Sequence, residues 1–185
     1  MCNPVCFLCK IAKIFQKYVD SVGHLCYNNI EVEGNLYAFS QKEGLILEIA
    51  IIAADVKKEI MAQFCIAYCG ILSKHNLCAT AITAKYISEA TGLKIDRLMS
   101  GEQGGEQQIA SRIAYNEIDV LLYFRDTRPT NTNNAVEYEL LRMCDMYNVP
   151  VATNIATAEV LITALERGDL DWREIVNPRS PLNKK

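Results

Sequence analysis

Short apolar runs alternate with segments of helical spacing from Glu48 onward. The runs are apolar almost throughout, which is typical of strands that are buried on both faces of a sheet. In the segments between them, apolar residues recur three and four positions apart, as they do on the buried face of a helix. The predicted strands are 48–54, 77–81, 94–98, 118–124 and 149–153, and the predicted helices are 56–74, 83–91, 106–116, 135–147 and 157–167.

This order of elements predicts an α/β fold with a doubly wound, five-stranded parallel sheet and helices on both of its faces. Sheets of this kind bind ligands beyond the carboxyl ends of their strands. Polar or glycine-rich segments follow every predicted strand. We therefore expect the functional site at that edge of the sheet.

The first 47 residues have a different pattern. Apolar residues from Phe7 to Tyr18 recur at helical spacing and predict an amphipathic helix. The turn-forming residues Glu33, Gly34 and Asn35 predict a hairpin after it. We interpret residues 1–47 as an extension of the main domain, which covers 48–176, and residues 177–185 as a poorly ordered tail.

Composition narrows the possible classes of function. The chain has 185 residues, of which half are apolar, and its net charge is −3. This charge gives no reason to expect nucleic acid or an anionic membrane as a partner. No apolar run approaches the length of about 18 residues that a membrane-spanning helix needs. Because no signal peptide is recognisable, the eight cysteines are expected to be reduced thiols in the cytoplasm.

Three cysteines near the N-terminus, Cys2, Cys6 and Cys9, have the spacing found in radical cluster enzymes, and Cys26 could be a fourth ligand. The same spacing also places the three thiols on one face of a helix. We favour free thiols over a metal or cluster site and predict no metal. The other four cysteines lie in strand or helix patterns and are expected in the core, namely Cys65, Cys69, Cys78 and Cys144.

The run MSGEQGGEQQ follows the third predicted strand and contains Ser100, Gly101, Gly104 and Gly105. Glycines let backbone N–H groups approach an anion, and the N-terminus of the following helix favours negative charge. Glu106 at the start of that helix has two interpretations. It either complements the helix dipole or acts as a general base on a substrate held by the loop.

A second candidate anion site follows the second predicted strand. Thr80 and Thr83 offer hydroxyls there, and Lys58 could supply a positive charge to a phosphate group bound at this site. Each residue also has a structural interpretation, because Thr83 could cap the helix and Lys58 could be an ordinary surface residue. Asp55 ends the first strand, where it either faces the crevice or caps the next helix.

Two runs of this sequence are specific in their composition and order. They are SGEQGGEQQ, which contains the glycines described above, and VATNIATAE, which follows the start of the fifth predicted strand. Together with IAIIAADVKK, LCATAIT and IDVLLYFRD, they resemble the methylglyoxal synthases from Ile49 to about Arg167. The resemblance implies the fold predicted above and a homo-oligomer, commonly a hexamer. It also implies a lyase that converts dihydroxyacetone phosphate into methylglyoxal and phosphate without a metal or cofactor.

Carried over by position, the resemblance makes Glu106 the base and Asp55 a second active-site acid. Asp126 matches the family's aspartate after the fourth strand. Asn133 stands where the family has a histidine that donates to the substrate carbonyl, and its amide can donate but cannot carry a positive charge. The implied phosphate contacts are Lys58, Thr80, Thr83, Ser100 and Gly101.

Several positions depart from the family pattern. Aspartate is usual where Glu106 stands, so this carboxylate reaches one methylene further. The family has histidine, threonine and aspartate where this chain has Ala54, Ile82 and Val136, although Glu137 lies beside the last of these. The phosphate side of the site is thus mostly retained, whereas the side that would polarise the carbonyl is altered.

The same fold also serves as a regulatory module in carbamoyl phosphate synthetases, where it binds phosphate-bearing nucleotides without turning them over. A sensor of this kind is the alternative function. Retention of the carboxyl groups of Asp55 and Glu106 favours the enzyme, because a site for phosphate alone gains nothing from added negative charge.

Overall fold

The computed structural model describes residues 45–128 and 135–177. Five parallel strands form one sheet in the order β3-β2-β1-β4-β5, which confirms the predicted fold class. The predicted N-terminal helix and hairpin, the cysteines before residue 27 and the tail after residue 177 lie outside the described residues. The strands are β1 (Glu48–Ala53), β2 (Asn76–Thr80), β3 (Asp96–Leu98), β4 (Val120–Phe124) and β5 (Val151–Ala152).

Helices connect the strands in the predicted order. They are α1 (Lys58–Ala67), α2 (Cys69–Leu72), α3 (Ala81–Thr91), α4 (Gly105–Ala114), α5 (Ala135–Tyr147) and α6 (Ile155–Arg167). Short 3-10 turns cover Asp55–Lys57, Gly101–Gln103 and Asp171–Ile175.

The prediction of one continuous helix over 56–74 was wrong. Tyr68 leaves the helical region, with φ −108° and ψ 20°, and separates α1 from α2. Its ring packs against Phe64 with 4.8 Å between the ring centroids. The spacing of apolar residues continues through the break, which is why the sequence pattern did not reveal it.

Successive side chains of each strand point to opposite faces of the sheet, and helices cover both faces. Ile49 and Ile51 of β1 face a core that includes residues of α1, α3 and α6. Ile52 of β1 and Tyr123 of β4 face the other core, which is built from α4 and α5. The helical residues that complete these cores include Met61, Ile87 and Ile162 on the first face and Ile109, Ile113 and Leu140 on the second.

A buried ion pair lies at the amino edge of the sheet. Arg173 and Asp119 are both fully buried, and Nε of Arg173 lies 3.4 Å from Oδ1 of Asp119. Asp119 also accepts hydrogen bonds from the Glu48 N–H at 2.9 Å and from the Asn177 amide. The other guanidinium N–H groups donate to the main-chain carbonyls of Ile118, Tyr147 and Asn148. The pair therefore joins the C-terminal segment to β1 and β4.

Three of the four cysteines predicted for the core, Cys65, Cys78 and Cys144, are buried, and Cys69 is half-buried. Burial raises the pKa of the Cys65 and Cys144 thiols to about 12, so both remain protonated at neutral pH. Within the two described ranges, no helix is both long and apolar enough to cross a membrane.

Candidate functional site

The candidate site lies at the carboxyl edge of the sheet. β1 is the central strand, with β2 and β3 on one side and β4 and β5 on the other, so the chain reverses its direction of winding there. Doubly wound sheets bind ligands at such a reversal. Asp55, Thr80 and Ser100 come at or just after the ends of β1, β2 and β3, and Asp126 comes just after β4. The fold thus brings the residues of separate sequence motifs to one edge.

The glycine-rich loop folds into a compact turn between β3 and α4. The carbonyl oxygen of Ser100 accepts hydrogen bonds from the N–H groups of Gln103 at 3.0 Å and Gly105 at 2.8 Å. Gly104 has a φ of +94°, a conformation that L side chains rarely adopt. The Ser100 hydroxyl donates to the Gln103 side chain at 3.1 Å. This turn leads directly into the N-terminus of α4, where an anion is favoured.

Replacing Gly105 by alanine is expected to destabilise the protein by about 1–3 kcal/mol. An added Cβ would lie 2.1 Å from the carbonyl oxygen of Met99, so the backbone must shift. Urea unfolding measures the loss. The matched control is Gly101→Ala in the same turn, where an added Cβ meets nothing within 4 Å. Equal stability of the two variants would contradict the expected clash.

Two buried threonines lie at the start of α3. The helix begins at Ala81, and Thr80 occupies the N-cap position, so the interpretation of Thr83 as the cap was wrong. The Thr80 hydroxyl donates to the hydroxyl oxygen of Thr83 at 3.1 Å. Because Thr83 accepts this bond, its own hydroxyl hydrogen can point to another acceptor. The Ala81 N–H donates to the Met99 carbonyl at 3.3 Å, which ties α3 to the start of the glycine-rich turn.

Lys58 lies at the start of α1 and forms a salt bridge with Asp55. Its side chain is only 11% exposed, whereas that of Asp55 is 90% exposed. The alternative that Lys58 is an ordinary surface lysine is therefore wrong. The pair places one cation and one carboxylate immediately after the central strand.

Glu106 lies in the first turn of α4 and is half-buried. Burial raises the pKa of its carboxyl, and the negative charge of Glu137 raises this pKa further. A hydrogen bond from the Tyr123 hydroxyl lowers it in part. Glu137, in the first turn of α5, pairs with Arg125 at 2.6 Å. A carboxylate with a raised pKa in a partly desolvated place is suited to accepting a proton.

Asp126 is bound by a neighbouring cation. The Arg128 side chain contacts both of its carboxylate oxygens, at 2.6–3.0 Å. These hydrogen bonds lower the pKa of the Asp126 carboxyl to about 2, so the group is ionised throughout the neutral range. An ionised carboxylate can place charge or accept a hydrogen bond, but it cannot donate a proton. Asn133 lies outside the described residues, so its role stays a prediction.

A cleft of about 800 Å³ lies at the opposite, amino edge of the sheet. Its lining includes Arg112, which is already surrounded by three carboxylates. The distances are 3.3 Å to Glu48, 3.7 Å to Asp96 and 3.5 Å to Glu117. The charge of Arg112 is therefore already compensated within the protein.

The sequence patterns did not single out two residues of the site, Tyr123 and Arg125. Tyr123 belongs to the run IDVLLYF, which indicates a buried strand but gives no reason to separate the tyrosine from its neighbours. Arg125 follows the strand and could have been matched with Glu137 only once the position of α5 was known. The available signal was the tyrosine hydroxyl itself, because the hydroxyl of a buried tyrosine usually has a hydrogen-bond partner.

Comparisons with known proteins show which family the chain is similar to. The family model described as MGS-like domain matches residues 62–153. A methylglyoxal synthase of Caldicellulosiruptor saccharolyticus is 56% identical over 138 residues, which cover 75% of this chain and 98% of the relative. A methylglyoxal synthase of Alkaliphilus metalliredigens is 51% identical and is covered over 99% of its length.

Among solved structures, the crystal structure of methylglyoxal synthase from Elizabethkingia anophelis is similar, with a TM-score of 0.57 and 35% identity. The match covers 64% of this chain and 78% of that one. The similarity in structure supports the fold, and the two relatives above are matched over almost their full length.

Proposed function

The chain belongs to the methylglyoxal synthase family, and we propose that it is a carbon–oxygen lyase acting on dihydroxyacetone phosphate. Its products would be methylglyoxal and inorganic phosphate. The observation that carries this proposal is the position of Glu106. A half-buried carboxyl of raised pKa lies in the first turn of α4, directly after the glycine-rich turn.

In the proposed reaction, the Glu106 carboxylate removes a proton from the hydroxyl-bearing carbon next to the substrate carbonyl, and an enediolate forms. The hydroxyl of the enediolate then loses its proton and becomes the aldehyde, while the electron pair of the carbon–carbon double bond shifts and expels phosphate by breaking the carbon–oxygen bond. The remaining enolate takes up a proton at the carbon that carried the phosphate, which gives methylglyoxal. Donors near the carbonyl oxygen would stabilise the negative charge that develops there. We assign this role to Asn133 and assign assistance with proton movements to Asp55. Asp126, which is ionised, would accept a hydrogen bond from a donor at the same edge of the sheet.

The proposed phosphate clamp comes from three places along the carboxyl edge of the sheet. Lys58 provides the positive charge, Thr80 and Thr83 provide hydroxyls, and the turn containing Ser100 and Gly101 provides backbone N–H groups. A clamp of this kind also fixes the angle between the breaking bond and the plane of the enediolate. Elimination of phosphate requires this bond to stand out of the plane, so the clamp contributes to rate as well as to affinity.

Substituting Thr83 by valine is expected to raise KM about 10- to 100-fold, because a hydrogen bond to a charged group contributes about 1.5–3 kcal/mol. Steady-state kinetics measure the change. The matched control is Thr91→Val in the same helix, whose hydroxyl bonds to the Ile87 carbonyl at 2.7 Å and lies at the far end of α3. An equal KM in both variants would remove Thr83 from the clamp.

The decisive experiment mixes the purified protein with dihydroxyacetone phosphate and traps methylglyoxal as it forms. Product together with an equal amount of released phosphate supports the enzyme. If no product forms while phosphate or a nucleotide raises the melting temperature, the sensor is the better description.

A further inference from the structure

We propose that Gln108 is a positioning residue of the site, whose side-chain oxygen holds the glycine-rich turn in the shape that binds phosphate. This inference rests on the proposed function, in which the turn belongs to the phosphate clamp and Glu106 is the base. It adds to that function a residue of α4 to which the family resemblance assigns no role.

A side chain of α4 closes the glycine-rich turn. Oε1 of Gln108 accepts a hydrogen bond from the main-chain N–H of Met99 at 2.9 Å, across nine positions of the chain. Met99 directly follows β3, and Gln108 is the fourth residue of α4. The backbone bonds to the Ser100 carbonyl connect residues of the turn with one another. The Gln108 bond instead connects the end of the strand to the helix, so it fixes how far apart the two ends of the turn lie.

The main chain of Met99 connects the turn to both helices that begin at the site. Its N–H is bonded by Gln108 of α4, and its carbonyl oxygen accepts a bond from the N–H of Ala81, the first residue of α3. Gly105, the first residue of α4, lies so close to the same carbonyl that an added Cβ would meet it at 2.1 Å. The hydroxyls proposed for the clamp lie at the start of α3. The position of Met99 therefore sets the separation between the two parts of the clamp.

The same bond relates the turn to the proposed base. Glu106 lies two positions before Gln108 on α4, so the side chain that holds Met99 belongs to the helix that carries the base. A bond from this helix to the end of β3 limits sliding of the base against the phosphate-binding turn. Such a limit matters because a misplacement of about 1 Å can lower a rate about 100-fold.

The neighbouring Gln107 provides a comparison within the same turn of helix. The two glutamines have the same chemistry, but Gln107 is exposed whereas Gln108 is half-buried. Of the two, only Gln108 has a side-chain hydrogen bond among residues 45–128 and 135–177. Effects that follow from the Met99 bond should therefore appear at Gln108 and not at Gln107.

The first test compares Gln108→Met with Gln107→Met. Methionine keeps the approximate length and the helix propensity of glutamine but has no oxygen to accept the Met99 N–H. Gln108→Met should raise the Kd for inorganic phosphate and the KM for dihydroxyacetone phosphate by about three- to tenfold, the range that one net hydrogen bond supplies. In Gln107→Met, both constants should change less than about twofold. Titration calorimetry and steady-state kinetics measure them. Equal values in the two variants, or no phosphate binding by the wild-type protein, would overturn the proposal.

Urea unfolding separates positioning from a general loss of stability. A purely structural role would reduce the folded fraction and hence the apparent kcat, while the folded molecules kept the KM and the phosphate Kd of the wild-type protein. Both constants are therefore compared without urea, where the unfolding curves show that each variant is folded. A lower urea midpoint of Gln108→Met with an unchanged KM and Kd would show that the bond only stabilises the fold.

Amide hydrogen exchange observes the bond without turnover. Exchange of the Met99 N–H should be faster in Gln108→Met than in the wild-type protein. Gln108→Glu keeps an acceptor oxygen at the same side-chain length, so it should retain the protection, as should Gln107→Met. If the wild-type protein forms no methylglyoxal but the phosphate Kd and the Met99 exchange change as expected, the proposed function fails while the positioning role stands. If Met99 exchanges equally fast in Gln108→Met and in the wild-type protein, the positioning role fails whatever the protein catalyses.

Discussion

Replacing Glu106 by glutamine is expected to lower kcat for methylglyoxal formation by about two to four orders of magnitude, the usual contribution of a positioned general base. Glutamine keeps the length and shape of the side chain, but it cannot take a proton from carbon. Rapid trapping of methylglyoxal measures the rate. Retained turnover would mean that another group is the base.

The same variant distinguishes lost chemistry from lost structure. The pKa of Glu106 is raised in the folded protein, chiefly by burial. For a carboxyl whose folded pKa lies above its unfolded pKa, stability falls as the pH rises from the unfolded value through the folded value, and it stays reduced above both. The uncharged glutamine side chain does not ionise, so Glu106→Gln does not lose stability in this way. At pH 7, Glu106→Gln should therefore unfold at the same urea concentration as the wild-type protein or at a higher one.

Replacing Arg173 by methionine is expected to reduce the free energy of unfolding by about 3–5 kcal/mol. The substitution leaves the Asp119 carboxylate fully buried without its cationic partner, and it removes the donors to three main-chain carbonyls. The proposed active-site residues lie at the opposite edge of the sheet. Urea unfolding below the melting range measures the effect, and the folded fraction should keep the activity of the wild-type protein.

Two further variants test the cause of that loss. Arg167→Met removes an exposed cation, whose Nη2 lies 2.7 Å from Asp169, and should cost less than about 1 kcal/mol. Adding Asp119→Asn to Arg173→Met removes the uncompensated charge and should restore part of the stability. If Arg173→Met lowers the free energy of unfolding no more than Arg167→Met does, the buried ion pair does not stabilise the amino edge of the sheet.

The existence of all five strands could be predicted from local pattern, whereas the ends of the two edge strands could not. β1 after Glu48 and the whole of β4 are buried on both faces, so these stretches are apolar without interruption. β3 and β5 are edge strands, and each pairs with a single neighbour over only a few residues. Their ends depend on where that neighbour stops, which is why 94–98 and 149–153 were predicted too long.

For the site, the sequence predicted which loops take part, and tertiary structure determined which side chains meet. The glycine-rich turn and the threonines follow their strands as expected. The meeting of Glu106 with Tyr123 and Glu137 depends on α4 and α5 covering the same face, and no local pattern specifies this. Asp119 was the clearest missed signal, because a single carboxylate within an apolar strand run requires a buried partner.

The strand order also determines how the protein acquires its site as the chain leaves the ribosome. β2 and β3 follow β1 directly and pair on one side of it, so half of the sheet can form early. Its other side must wait for β4, and Glu48 and Asp119, which join there, are 71 residues apart in the chain. Lys58, Thr83 and Ser100 belong to the early half. We therefore expect these proposed phosphate contacts to assemble before β4 joins the sheet and brings Asp126 to the same edge.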